Sequence, residues 1–127
     1  MRILISAMLA SLPFIPVANA QDAEAGQRVF NQCRACHQIG ETAKNAVGPH
    51  LNGLFQRKAG EVSGYNYSEA NKTSGATWSE DFFVKYIADP KGTMPGNKMA
   101  YAGLKNEKQI ADLVSFLKQY GPDGKKP

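Results

Sequence analysis

"CRACHQIG", residues 33–40, holds both cysteines of the chain and one of its two histidines. Cys33, Cys36 and His37 are therefore concentrated in one turn's length of backbone, and three chemistries compete for them. A disulfide would close a very small ring, which restrains the unfolded chain little, because the gain grows with loop length. Redox Cys-x-x-Cys pairs also sit beside βαβ patterns, and the chain has none. A zinc site would need a fourth ligand such as His50, with an awkward adjacent Cys-His pair and no second Cys-x-x-Cys or His-x-x-x-His. Covalent haem attachment uses every residue at its own spacing. In a helical turn Cys33 and Cys36 share a face and can bind the two vinyl groups of one haem edge. His37 then lies over that same face with a nitrogen for the iron. The spacing predicts a c-type haem site.

Outward from this stretch, the chain begins "MRILISAMLASLPFIPVANA", residues 1–20. One basic residue, an apolar middle and a small-x-small ending have the three parts of a secretory leader. Spanning a membrane takes about 20 unbroken apolar residues, whereas Pro13 and Pro16 interrupt this run. The expected organisation is a cleaved signal peptide over 1–20 and a single domain over 21–127, without a transmembrane segment and exported to the periplasm. Loss of Arg2 with the leader lowers the formal net charge from +4 to +3. That is too weakly basic to indicate nucleic acid, but its sign matters if lysines cluster on one face.

The mature region reads as helices separated by Gly-rich loops. Asp22 is a plausible N-cap for a helix over 22–33 whose Gly26, Val29, Phe30 and Cys33 share a face. Residues 38–67 are irregular, and their length calls for something to wrap. Ser68 can cap a short helix over 67–75, and Ser79 a helix that must stop before Pro90. Residues 90–103 read as loop. The last helix, over 107–120, starts from Asn106, with Gln109 in capping-box position and Ile110, Leu113, Val114 and Leu117 on one stripe. No segment alternates with period two, so the chain is predicted all-α with long loops.

With these stretches laid out, "AGQRVFNQCRACH", "VGPHLNGLFQRKAG", "GYNYSEANKTSGATW", "YIADPKG" and "MPGNKMAYAGL" together resemble the class I cytochromes c, in particular the bacterial periplasmic kind similar to mitochondrial cytochrome c. The likeness covers residues 22–120. It implies the cytochrome c fold, with N- and C-terminal helices packed together and short helices and loops around one covalent haem c. Gly26 and Phe30 would meet Leu113 and Phe116. Spacing alone does not choose between Met94 and Met99 as the sixth ligand; the family pattern Gly-x-Lys-Met implies Met99 and leaves Met94 apolar. It also implies that the Pro49 carbonyl accepts from His37 and fixes its tautomer, with His50 at a variable position. Arg57, Tyr67 and Trp78 resemble the residues around the haem propionates, and Asn71 and Tyr86 the polar residues on the methionine side. Two departures stand out. The spacing between Phe30 and Cys33 is the shorter bacterial one, and Gln56 occupies a position where glycine is frequent.

A haem closed by His37 and Met99 has no open position for substrate. The resemblance therefore implies a monomeric one-electron carrier, not an enzyme, shuttling between a cytochrome bc complex and a terminal oxidase or photosynthetic reaction centre. Lys44, Lys58, Lys91, Lys98 and Lys105 would dock it to acidic partners near the haem edge. A haem enzyme or gas sensor of peroxidase type is the alternative, and it requires a displaceable sixth ligand.

Overall fold

The computed structural model describes residues 22–127; the leader expected over 1–20 lies outside them. The helices are α1 (Ala23–Phe30), α2 (Glu69–Thr73), α3 (Glu80–Ala88), α4 (Pro90–Thr93) and α5 (Glu107–Lys118), with a 3-10 turn at Asn31–Cys33. Among the described residues there is no β-strand, only an isolated antiparallel bridge between Lys58 and Thr77.

Each helix begins where a short polar side chain captures a free amide. The Asp22 carboxylate accepts from the N–H groups of Glu24 and Ala25 at 2.9 and 3.1 Å, satisfying donors that no earlier turn can reach. Ser68 accepts from Asn71, Ser79 from Phe82 and Asn106 from Gln109. The first expected helix is shorter than its periodicity suggested: after Phe30 the backbone tightens into the 3-10 turn. Conversely, the stretch expected as loop from residue 90 starts with α4. Pro90 occupies the first helical position, where its missing N–H costs nothing, and the Asp89 side chain accepts from the Gly92 N–H at 3.0 Å.

The terminal helices α1 and α5 form the main packed pair. Phe30 is fully buried, with its ring centroid 5.2 Å from that of Phe116. Gly26 allows this approach: a Cβ there would lie 1.9 Å from the Asp112 carbonyl oxygen and 2.8 Å from the Phe116 Cβ. Leu113 and Leu117 continue the buried stripe on α5. The same stripe reaches past α1 to a cavity, so one helix face serves both the helix pair and the site.

Candidate haem site

Cys33 ends the 3-10 segment, and Cys36 and His37 complete the turn that follows it. The amides of Cys36 and His37 both donate to the Cys33 carbonyl, at 3.1 and 2.9 Å. The two thiols are unpaired, which sets the disulfide aside. Among the described residues no three His, Cys, Asp or Glu side chains converge as a metal site, so the zinc reading lacks a ligand set. Burial and the neighbouring Cys36 push the Cys33 thiol up to about 11. Both sulfurs instead face a cavity of about 590 Å³ whose surface is mainly apolar.

That cavity gathers all ten residues singled out from the sequence: Cys33, Cys36, His37, Pro49, Arg57, Tyr67, Asn71, Trp78, Tyr86 and Met99 line it. Met94 and His50 do not. Met94 is buried in the core instead, 4% exposed, and the His50 ring accepts from the Asn52 amide at 3.3 Å.

His37 is held from two sides. Its Nδ1 lies 2.7 Å from the Pro49 carbonyl oxygen. An N–H on Nδ1 donates there and leaves Nε2 as the free lone pair. Gly48 presses on the ring, with a hypothetical Cβ only 2.3 Å from Cε1. Burial lowers the imidazole pKa against the opposing Pro49 hydrogen bond, which favours the neutral, ligating form. On the Met99 side, the Tyr86 hydroxyl donates toward Met99 Sδ at 3.4 Å. Burial pushes Tyr86 up to about 12, so the phenol stays protonated as a donor.

Two buried polar atoms test whether the pocket fits a haem. Arg57 Nη1 donates to the carbonyls of His50 and Asn52 at 3.1 and 3.0 Å, yet its Nε is buried without a partner. Asn71 Oδ1 is likewise buried and unpartnered. Such groups are costly unless something pairs with them. A protonated Arg57 Nε–H suits a propionate carboxylate. Much of the remaining wall is apolar, with Phe83 and Ile87 from α3 and Leu113 and Leu117 from α5. The pocket fits a flat apolar ligand with an anionic edge.

A family model described as cytochrome c matches residues 23–121. The chain belongs to the cytochrome c family. It is 49% identical over 126 residues to a cytochrome c2 of Blastochloris viridis, covering 99% of this chain and 99% of that protein. To a cytochrome c-550 of Bradyrhizobium diazoefficiens it is 57% identical over 103 residues, 81% of this chain and 76% of that one. The solved cytochrome c2 of Rhodospirillum centenum superposes with a TM-score of 0.76 at 34% identity, covering 80% of this chain and 99% of that structure. This cytochrome c is thus an electron carrier and not an enzyme, and its family implies a covalently bound haem c. No helix among the described residues is long and apolar enough to cross a membrane.

Sequence reasoning missed part of the cavity wall. Asn97, Tyr101, Tyr65 and Val47 also line it. The Tyr101 hydroxyl donates to Gln32 Oε1 at 2.9 Å, tying the Met99 loop to the turn before Cys33. Lys98 stands over the Tyr65 ring at 4.7 Å and donates to the Asn66 carbonyl. Only their place next to Met99 could have drawn notice to Asn97 and Tyr101, since both residue types are ordinary in loops.

Proposed function

We propose that this cytochrome c carries single electrons through a haem c tethered to Cys33 and Cys36, with His37 and Met99 as axial ligands. One observation carries the ligand choice: His37 and Met99 share a cavity that the rival candidates His50 and Met94 do not line. When bound, the haem supplies an iron that alternates between two oxidation states. The protein's part is to hold and insulate it. Pro49 orients His37, and Tyr86 orients the Met99 thioether, a ligand that favours reduced iron. Arg57, with Tyr67 and Trp78, receives the propionates, and Asn71 belongs with Tyr86 on the methionine side. Phe83, Ile87, Leu113 and Leu117 exclude water.

If His37 and Met99 both hold the iron, they would leave no position for a substrate, and the group would supply electron exchange alone. The carrier works in the periplasm, between a cytochrome bc complex and a terminal oxidase or reaction centre. Its similarity to cytochromes c2 and c-550 supports that placement.

Carbon monoxide tests the closed site. The visible spectrum of the reduced protein is expected to stay almost unchanged under the gas. Met99→Ala should bind it readily and lose the weak far-red sulfur-to-iron band of the oxidised form, while Met94→Ala keeps the band. Fast, complete binding by the wild type would instead favour a haem enzyme or sensor.

A further inference from the structure

We infer that Asn97 is a positioning residue that clasps the Met99 loop shut; the inference rests on Met99 being the sixth ligand. Asn97 is 8% exposed, a level of burial at which an amide must be hydrogen-bonded. Its Nδ2 donates to two carbonyls, Pro90 at 2.8 Å and Met94 at 2.8 Å. Both partners are acceptors only, so the NH₂ must face them and the orientation of the amide is settled by chemistry. Oδ1 is therefore turned the other way. It accepts from the Met99 backbone N–H at 2.9 Å.

One buried side chain thus joins both ends of α4 to the amide of the residue whose sulfur faces the cavity. The Tyr86 hydroxyl lies 3.5 Å from Asn97 Oδ1 and 3.4 Å from Met99 Sδ. The same clasp therefore sets where the phenol can reach the sulfur. Lys98 and Tyr101 anchor the loop from outside, through Asn66 and Gln32, but neither side chain reaches the Met99 amide. Pro95 and Gly96 are exposed, Gly96 has a φ of 86°, and Met99 is only partly buried. Within 94–99 the other backbone bond is from the Asn97 N–H to the Met94 carbonyl at 3.2 Å. Without Asn97 the Pro90 and Met94 carbonyls would each lose a buried donor, and the Met99 amide would lose its acceptor. A loop so released exposes the sixth position.

The test uses the haem-loaded protein and two readouts. Backbone hydrogen exchange at Met99 reports the clasp, and imidazole binding to the oxidised iron reports opening of the loop. Asn97→Ala is expected to speed Met99 amide exchange about tenfold or more, the loss of one buried hydrogen bond, and to raise imidazole affinity by a comparable factor. Ile110→Val trims the core outside the cavity and controls for general destabilisation; it should move neither readout comparably. If Asn97→Ala matches Ile110→Val in both, Asn97 is merely structural and the proposal is overturned. If the wild type takes imidazole as readily as Met99→Ala, the ligand assignment fails and the clasp with it. In the wild type, which needs no variant to fold, the Met99 amide should be protected together with that of Met94. Free exchange at Met99 alone would also overturn the proposal.

Discussion

Among individual residues, Gln56 is where the chain departs from the simplest solution. It is the one described non-glycine residue with positive φ, at 76°, in a region that costs an L-residue about 1–2 kcal/mol. The conformation is imposed from outside the residue: its N–H donates to the Trp78 carbonyl at 2.9 Å, and the next amide, of Arg57, donates to Leu54 at 3.1 Å. This turn aims Arg57 into the cavity, and the exposed Gln56 side chain offsets none of the strain with burial. Gln56→Gly should therefore stabilise the protein by about 0.5–1 kcal/mol, the relieved strain less the greater unfolded-state entropy of glycine. Urea denaturation of the holoprotein would show a raised midpoint at unchanged slope; a lowered midpoint would mean that the glutamine side chain makes a contact worth more than its strain. The cavity-lining turn of Cys33, Cys36 and His37 was legible because Cys-x-x-Cys-His has few other uses, whereas Met99 was singled out from Met94 only by the family pattern and not by spacing. The left-handed turn at Gln56 and the clasp at Asn97 were not legible, since each is created by partners distant in sequence or hidden in an ordinary loop.

Helices were legible from their beginnings more than from their ends. Asp22, Ser68, Ser79 and Asn106 act as caps, because a local side chain reaching the next turn is a short-range event. The end of α1 and the presence of α4 depended on packing around the cavity and on a cap supplied by Asp89, one residue beyond the preceding helix. A longer-range tie joins the two terminal helices. Asp112 of α5 is 4% exposed and accepts from Lys108 at 2.6 Å and from the Asp22 N–H at 3.0 Å, at the start of α1. The Lys108 hydrogen bond, then that from Asp22, hold this carboxyl below its usual value of 3.8. Since it is more acidic folded than unfolded, its contribution is whole above the ordinary aspartate range and is lost as pH falls through the lower folded value. Asp112→Asn should thus destabilise the holoprotein most at neutral pH, with the gap to wild type closing as the medium becomes strongly acidic. Paired urea titrations from neutral to acid pH measure that gap; a gap independent of pH would show that Asp112 acts through shape and not charge.

At the scale of the whole molecule, the sequence pI near 9.1 matters less than which positive charges are left unopposed. Lys72, Lys108, Lys118 and Lys125 are matched by Glu69, Asp112, Glu80 and Glu41. Lys44, Lys58, Lys91, Lys98 and Lys105, the five expected at the docking face, are all exposed and form no ion pair with a carboxylate among the described residues. Lys98 also lines the cavity, beside the exposed Val47 and Ala100. Pairing cancels a charge at any distance beyond the pair, so the field that a partner feels comes from the unpaired set. An acidic partner would be steered by that field at low salt and progressively less as the Debye length shrinks to about 10 Å near 0.1 M. The bimolecular rate of oxidation by a purified terminal oxidase should therefore fall steadily with ionic strength. Lys98→Gln should lower it several-fold at low salt and converge with wild type at high salt, while Lys118→Gln, whose charge Glu80 already offsets, should change it little. Equal effects from the two variants would assign steering to net charge alone. A rate indifferent to salt would remove the lysines from docking and leave the apolar rim formed by Val47 and Ala100 to guide the encounter.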